Sequence, residues 1–328
     1  MTIDFDRFQK SLLDSFCKRE ALWKVHDAVR VYDESALPLV IEKFKDYAFL
    51  TWRGEVLTQF EEQRLAHNLK TVWSKVFDAP IQAASLLHRP KANLAFKESD
   101  TRWILGGVSA ERSLWVKEWG LPYQIRFMGH AHPGLFLDHR ELRRLLSEEN
   151  ADGGRVLNLF AFTGSLGLAG LHGGYESLDQ VDISKPNLEW IRENFREHTK
   201  VHSCEKRMQV FAGDAEFFIQ RSIKREEKYD AIFCDPPSFA RKKTGEVFSV
   251  LKSYPTLIEN CLRLLNQEGL FMFSANLEGI THALIEGEVN KFARILGLGR
   301  PTFKRLSGDK DEFESSKGGM CGVIAKFR

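Results

Sequence analysis

The sequence predicts an α/β protein in which a doubly wound, seven-stranded sheet follows a smaller α+β domain. Two observations support this fold class. From about Glu141 onward, helical segments alternate with short apolar segments of the length that buried strands have. At residues 155–170, RVLNLFAFTGSLGLAG, an apolar run passes through a glycine-containing turn into helical spacing, as expected where a strand leads into a helix.

The alternating segments give the elements of the larger domain. Helices are predicted at Arg140–Ser147, Leu166–His172, Pro186–His198, Ala215–Ile223, Tyr254–Leu265 and His282–Leu296. Strands are predicted at Val156–Phe160, Ser177–Val181, Met208–Ala212, Ala231–Cys234, Leu270–Ser274 and Gly322–Phe327. The polar segment 307–319 is predicted to be a loop between the last two strands.

The first part of the chain has a different pattern. Residues 5–28 are predicted to be helical, because their apolar residues recur on one face. Strands are predicted at 29–32 and 38–52, the latter with a turn near Lys45, and a helix is predicted at 59–76. Four short strands are predicted at 84–87, 102–105, 114–117 and 123–127. We therefore predict a small α+β domain at residues 1–128 and a second domain at residues 129–328.

Composition excludes several classes of protein. No apolar run approaches the roughly 18 residues of a membrane span. The start of the chain, MTIDFDRFQK, lacks the apolar segment of a secretion signal, so we expect a cytoplasmic protein. The five cysteines show no C-x-x-C spacing, which argues against a metal site or a disulfide framework. A net charge of +2 neither requires nor excludes a nucleic-acid partner.

Three acidic residues follow successive predicted strands of the larger domain: Asp182, Asp214 and Asp235. The carboxyl ends of neighbouring parallel strands line one crevice, so these side chains should converge. Asp182 lies at the distance from the first turn that suits an acid binding ribose hydroxyls, and Asp214-Ala215 can meet an adenine edge. A single strand-end aspartate is more often a helix N-cap than a ligand. The occurrence of all three acids, one after each of three successive strands, favours a nucleotide-type cofactor site.

Asp235 opens the segment Asp235-Pro236-Pro237-Ser238-Phe239. Two successive prolines fix φ twice and remove two N–H donors, which gives a rigid loop with outward carbonyl groups. The aromatic ring of Phe239 can stack on a flat ring. We therefore take Asp235, Pro236, Pro237 and Phe239 as candidate catalytic residues that hold a planar group against the cofactor.

Residues 155–239 resemble a class I S-adenosylmethionine (SAM)-dependent methyltransferase with a Rossmann-like sheet, through FAFTGSLG, VDIS, AGDA and DPPSF. The upstream segment GLFLDHR and the segment VYDESALPLVIEKFKDYAFLTW resemble the bacterial 23S rRNA methyltransferases, both a guanine-N7 group and a cytosine-C5 group. The similarity covers roughly residues 28–327. It implies a SAM cofactor and an RNA substrate, and it adds Asp138 and Arg140 as residues near the methionine end. The candidate cofactor-binding residues are Asp138, Arg140, Asn158, Phe160, Phe162, Thr163, Gly164, Asp182, Ile183, Asp214, Ala215 and Asp235.

One departure from the cytosine group concerns the methyl acceptor. Methylation of cytosine at C5 needs a thiolate that adds to the ring, and in those relatives the cysteine follows the fifth strand. Here that position reads Ser274-Ala275-Asn276, and Cys234 is predicted to be a buried core residue. Asn276 matches the guanine-N7 group better. The acceptor is therefore predicted to be a nitrogen, either guanine N7 or an exocyclic amine.

The sequence thus predicts a SAM-dependent methyltransferase of a base in structured RNA, most simply 23S rRNA. We expect residues 1–128 to supply affinity for RNA, because aromatic residues occur there beside basic residues, although these aromatic residues are equally compatible with a core: Lys43, Lys45, Tyr47, Phe49, Trp52 and Arg53. The alternatives are a methyltransferase of a small molecule or protein, a nicotinamide-dependent oxidoreductase, and an RNA-binding protein with a vestigial pocket. The exact nucleotide and a monomeric or homodimeric state are left open.

Overall fold

The computed structural model describes residues 3–34, 37–89, 100–106, 113–202, 207–241, 247–308 and 320–328, with backbone only at 201–202, 239–241 and 247–248. The chain divides into two compact units, one ending at Leu137 and the other beginning at Asp138. This division lies nine residues after the predicted boundary at 128/129. The backbone N–H of Arg126 donates to the carbonyl of Pro133 at 2.9 Å, which ties the intervening segment to the first unit.

The first unit contains three helices and seven strands in its described part. The helices are α1 (Phe5–Lys18), α2 (Glu20–Trp23) and α3 (Gln59–Val76), and the strands are β1 (Ala28–Asp33), β2 (Leu39–Phe44), β3 (Tyr47–Trp52), β4 (Ala83–His88), β5 (Thr101–Leu105), β6 (Ser113–Glu118) and β7 (Leu121–Arg126). The first five strands form one sheet in the order β1-β2-β3-β4-β5, in which β3 and β4 are parallel. Strands β6 and β7 form a separate antiparallel ribbon.

Helices α1 and α3 pack together and bury an aromatic core with one face of the sheet. Phe16, Trp73 and Phe77 contact one another in this core, with ring centroids 4.5–6.3 Å apart. A capping box formed by Thr58 and Glu61 fixes the first turn of α3, whose bounds agree with the prediction. The predicted helix over 5–28 is instead two helices that meet at Arg19.

The group of residues predicted to bind RNA is buried in part only, since Lys45 and Arg53 are exposed and Tyr47 is half-buried. Phe49 and Trp52 are 2% and 5% exposed, and Trp52 belongs to the core. Lys43 is also buried, and its ammonium group lies 5.2 Å from the ring centroid of Phe77. Burial lowers the pKa of Lys43. Period-2 alternation places residues on opposite faces of a strand, but in β2 and β3 both faces are covered.

The second unit begins with a short 3₁₀ helix that ends at His139. Its helices are α4 (Arg140–Ser147), α5 (Ser165–His172), α6 (Lys185–His202), α7 (Ala215–Lys224), α8 (Val250–Leu264) and α9 (His282–Leu296). Its strands are β8 (Arg155–Leu159), β9 (Ser177–Asp182), β10 (Arg207–Ala212), β11 (Tyr229–Cys234), β12 (Phe239–Arg241), β13 (Val247–Ser249), β14 (Leu265–Ala275), β15 (Thr302–Ser307) and β16 (Cys321–Lys326).

Seven of these strands form one mixed sheet in the order β10-β9-β8-β11-β14-β16-β15. The first five run parallel, and β16 is antiparallel to both of its neighbours. The predicted fold class, a doubly wound seven-stranded sheet after a smaller α+β domain, is confirmed. Strand β15 was not predicted, because it lies at the sheet edge and most of its side chains are exposed polar groups.

Strand order reverses between β8 and β11, so the crevice of this unit opens at the carboxyl ends of these two strands. Helix α5 packs very close to the sheet there: a Cβ atom at Gly170 would come within 2.7 Å of the Phe233 ring. None of the helices in the described part of the chain combines the length and apolarity that crossing a membrane requires.

Candidate active site

The turn that follows β8 has an unusual backbone. Phe160 and Phe162 have φ values of 55° and 52°, a region that side chains disfavour by about 1–3 kcal/mol per residue. Gly164, at φ 83°, ends the turn and leads into α5, and a Cβ atom there would lie 2.5 Å from the Gln180 amide nitrogen. The residue at this position must therefore be glycine, and the strained turn depends on the surrounding contacts to hold it.

Three buried side chains supply those contacts. The amide of Asn158 donates to Gln180 at 2.6 Å, and the amide of Gln180 donates to the carbonyl of Gly164 at 3.3 Å. The amide of Asn194 donates to the carbonyl of Thr163 at 2.9 Å. Asn158 and Thr163, two predicted cofactor contacts, are themselves buried side chains. Their direct contact with a cofactor stays a prediction, and the structure shows Asn158 holding the turn from beneath.

Asp182 lies at the end of β9 and binds the same turn. Its Oδ2 accepts the backbone N–H of Phe162 at 2.8 Å. Its Oδ1 accepts the N–H of Ser184 at 2.8 Å and the amide of Asn187 at 3.1 Å. Burial raises the pKa of this carboxyl, and the three donors act in the opposite direction. Asp182 is therefore an ordered carboxylate at the position predicted for the ribose acid.

Asp214 follows β10, the neighbour of β9. It is the N-cap of α7, and its Oδ1 accepts the N–H of Phe217 at 3.0 Å. Ala215, the next residue, is buried. Two large apolar side chains follow the same two strands and are mostly exposed: Ile183 at 60% and Phe217 at 63%. Single exposed apolar side chains are common on protein surfaces, but the position of these two after adjacent strands makes them candidates for contact with a ligand.

Asp235 follows β11 directly, and one of its oxygens, Oδ1, has two partners. The hydroxyl of Ser274, at the end of β14, donates to Oδ1 at 2.6 Å. The Nε2 atom of His139 lies 3.6 Å from the same oxygen. Burial raises the pKa of Asp235 and the Asp138 carboxylate raises it further, whereas His139 and Ser274 lower it. The side chain is 22% exposed, so it remains within reach of a ligand.

The segment after Asp235 is fixed to the neighbouring strand end. The hydroxyl of Ser238 donates to the carbonyl of Asn276 at 2.6 Å, and the amide of Asn276 donates to Asp138 at 3.4 Å. Pro236 is buried and Pro237 is exposed. The side chain of Phe239 lies outside the described residues, and only its backbone, at the start of β12, is placed. The stacking role predicted for Phe239 stays a prediction.

The structure therefore groups the predicted residues in two sets. Asp182, Phe162 and Gly164 form one set around the turn after β8. Asp138 and Asp235 belong to the other, at the ends of β11 and β14. Arg140 lies buried in the first turn of α4, and Asp214 remains apart as a helix cap.

Sequence reasoning missed two residues of the second set, His139 and Ser274. His139 lies inside the GLFLDHR segment, which gives no indication that its imidazole approaches Asp235. Ser274 lies at the end of the predicted strand 270–274, and this position gives no indication of the contact. Its distance from Asp235, 39 residues along the chain, gave no local signal.

The described cysteines of the second unit are all buried. Cys234 and Cys261 are fully buried, and burial raises the pKa of the Cys234 thiol. Cys321 is also buried, which raises its pKa to about 11. Among the described residues, no cysteine side chain therefore combines exposure at the strand ends with a readily formed thiolate.

The residues of the first set fit the adenosine part of SAM. The ordered carboxylate of Asp182 can accept ribose hydroxyls. The exposed side chains of Ile183 and Phe217, after adjacent strands, can cover a purine. The fold is that of a class I methyltransferase: five parallel strands within a mixed seven-stranded sheet, a strained first turn, and carboxylates after β9 and β11.

Comparison with known proteins agrees. The sequence profile of the S-adenosylmethionine-dependent methyltransferase family matches residues 54–298, and the chain belongs to that family. It is a SAM-dependent methyltransferase. The chain is 28% identical over 282 residues to the ribosomal RNA large subunit methyltransferase K/L of Photobacterium profundum, an alignment that covers 83% of this chain and 37% of that protein. This chain therefore spans little more than a third of the length of that curated relative.

Solved structures share the fold. The crystal structure of SMU.776 complexed with SAH has a TM-score of 0.80 and 24% identity, and the match covers 99% of this chain and 82% of that one. The M. jannaschii tRNA m1G37 methyltransferase has a TM-score of 0.55 and 12% identity, with 95% and 78% covered. At these identities the likeness concerns the fold alone.

Proposed function

We propose that this enzyme methylates a base nitrogen of structured RNA, in the large subunit of the ribosome. The observation that carries the proposal is the partly exposed carboxylate of Asp235, which is followed by a rigid Pro236-Pro237 turn. Oδ1 is held by Ser274, and Oδ2 accepts no hydrogen bond from the described residues. A carboxylate oxygen beside a fixed carbonyl matches the N–H groups on the edge of a purine.

The relatives support RNA as the substrate class. The curated relatives are named as ribosomal RNA methyltransferases and match most of this chain. A base inside a structured RNA is reached only after it leaves the stack. The predicted platform for such a base is Phe239, and the predicted clamp on its edge is Asp235 with the carbonyl of Pro236. The expected cytoplasmic location is consistent with an enzyme that acts on ribosomal RNA.

The SAM cofactor supplies an electrophilic methyl group on a positively charged sulfur when bound. Asp182 would hold the ribose, Ile183 and Ala215 would lie against the adenine, and Asp214 would meet its amino edge. The turn from Phe160 to Gly164 would lie at the methionine side, with Asp138 and Arg140 toward its charged groups. These assignments rest on the position of each residue at the strand ends.

The acceptor nitrogen uses its lone pair to form the N–CH₃ bond while the S–CH₃ bond breaks, and the electrons of that bond remain on sulfur. An exocyclic amine then gives up one proton, which Asp235 accepts and passes to water. Guanine N7 has no proton to lose, so Asp235 would only orient the base through its ring N–H and amino group. In both cases the enzyme chiefly aligns the reactants and excludes water.

The first unit is proposed to supply affinity for the RNA, through the β6–β7 ribbon. Alternate residues of β6 differ in solvent exposure. Val116 and Glu118 are buried, whereas Trp115 is half-buried and Lys117 is exposed. Trp119, in the connecting turn, is also exposed. Aromatic rings beside a cation on one ribbon face are suited to stacking unpaired bases and holding phosphates.

Nucleoside analysis tests the proposal. Unmodified large-subunit rRNA would be incubated with the protein and SAM carrying a deuterated methyl group, then digested and analysed by mass spectrometry. We expect the label in a methylated purine nucleoside. Asp182→Ala, which weakens cofactor binding, is the negative control. Label found only in protein or small molecules would contradict the proposal.

A further inference from the structure

The two partners of Asp235 meet at a single oxygen atom. Ser274 donates its hydroxyl to Oδ1 at 2.6 Å, and the imidazole Nε2 of His139 lies 3.6 Å from that atom. Both partners are buried side chains. The protein thus holds the carboxylate at Oδ1, and among the described residues Oδ2 has no hydrogen-bond donor.

Some of the groups around Asp235 favour its ionised form, and others favour its neutral form. The charged or titratable groups recorded around Asp235 are His139, Asp138 and the buried thiol of Cys234. Arg140 is buried next to His139 in the chain. Asp138 and burial favour the neutral acid, and an imidazolium at His139 and the Ser274 hydroxyl favour the carboxylate. Of the groups recorded around Asp235, His139 and Ser274 are the two that favour its ionised form.

We propose that His139 is a positioning residue that keeps Asp235 ionised and turned so that Oδ2 faces the methyl acceptor. This inference rests on the proposed function in one respect, that the acceptor presents an N–H group to Oδ2. A carboxylate accepts at both oxygens, whereas the neutral acid carries an O–H donor that would face the N–H donors of the base. Protonation of Asp235 would therefore both misalign the base and remove the proton acceptor.

The sign of the pH effect follows. Activity needs the carboxylate, so it falls as the pH drops through the pKa of Asp235. Burial has already raised that pKa, and loss of His139 raises it further. In His139→Gln the acidic limb of kcat/KM should move to higher pH. A shift of one unit gives about a tenfold loss on the acidic side and nearly normal activity at alkaline pH.

The direct test uses neither cofactor nor RNA. Aspartate labelled with ¹³C at the carboxyl carbon reports the titration of Asp235, assigned by its loss in Asp235→Asn. We expect its midpoint at higher pH in His139→Gln than in the wild type. The matched control is His172→Gln, an exposed histidine of α5, which should leave it unchanged. An unchanged midpoint in folded His139→Gln would overturn the proposal, as would a loss of activity that is equal at every pH.

A second measurement covers the case in which His139→Gln does not fold. In the wild type, the ¹⁵N resonances of the His139 ring should show a step at the pH where Asp235 ionises, and this step should vanish in Asp235→Asn. Absence of the step in the wild type would overturn the inference. Because both titrations are independent of methyl transfer, a failure of the RNA proposal would leave them readable.

Discussion

Asp182 accepts the backbone N–H of Phe162 at 2.8 Å and so joins the end of β9 to the strained turn after β8. One carboxylate thus holds the turn and also offers the proposed contact for the ribose. This hydrogen bond helps to hold a turn that has two non-glycine residues at positive φ. Removal of Asp182 should therefore disturb both the turn and the proposed contact with the ribose.

Replacement of Asp182 should therefore weaken SAM binding. Asp182→Ala removes one partner of a buried charged hydrogen-bond set, which costs roughly 1.5–3 kcal/mol, or about tenfold to a hundredfold in affinity. Titration calorimetry measures the effect, with the exposed Asp152→Ala as the control. NAD should bind to neither variant nor to the wild type. An unchanged SAM affinity in Asp182→Ala would remove Asp182 from the site.

Gly164→Ala should destabilise the second unit. Alanine at φ 83° is strained, and its Cβ would lie 2.5 Å from the Gln180 amide. The free energy of unfolding should therefore fall by about 1–3 kcal/mol. Gly287→Ala is the matched control, since that glycine lies within α9 with open space around it. Alanine there should stabilise by about 0.4–1 kcal/mol. Urea unfolding compares the two, and equal effects of the two substitutions would contradict this view of the turn.

No covalent bond to RNA should form. The described cysteines of the second unit are buried, and the end of β14 carries Ser274 and Asn276. RNA containing 5-fluorocytidine traps enzymes whose cysteine adds to the pyrimidine ring. We expect no protein–RNA adduct on a denaturing gel. An adduct that disappears when a single cysteine is replaced would show that the acceptor is a pyrimidine carbon.

The β6–β7 ribbon should contribute to RNA affinity and not to cofactor affinity. Lys117→Ala combined with Trp119→Ala removes one cation and one aromatic face, and stacking alone is worth about 1–3 kcal/mol per base. Fluorescence anisotropy with labelled rRNA fragments should show weaker binding, with SAM affinity unchanged. The exposed Lys291→Ala of α9 is the control. Equal RNA affinity in both variants would assign RNA binding to another surface.

Much of the fold follows from local patterns in the sequence. The bounds of α3, α4 and α9 agree with prediction, because helical periodicity and end signals are encoded within each segment. Strand β15 escaped prediction because an exposed edge strand lacks apolar alternation. The aromatic residues of β3 gave no sign of being buried on both faces, since burial depends on what covers the sheet.

The candidate site divides in the same way. The order of Asp182, Asp214 and Asp235 after three strands could be predicted, but the predicted convergence of their side chains is not observed, because β8 lies between β9 and β11 and the three carboxylates have separate partners. The contacts of Asp235 with Ser274 and His139 could not be predicted, because they join segments far apart in sequence. The hydrogen bond between Asn158 and Gln180 beneath the turn could not be predicted either. It depends on the register of β8 and β9, which no sequence motif specifies.

The central claim is that Asp235 positions a purine nitrogen as the methyl acceptor. It is tested most directly by single-turnover methylation of rRNA with the wild type and Asp235→Asn, with the product nucleoside identified by mass spectrometry. We expect the methyl group on a purine nitrogen, and we expect Asp235→Asn to leave the SAM affinity unchanged. The rate should fall by about a hundredfold or more for an exocyclic amine, and by less for guanine N7. A methyl group at cytosine C5, or an Asp235→Asn variant that loses only cofactor binding, would contradict it.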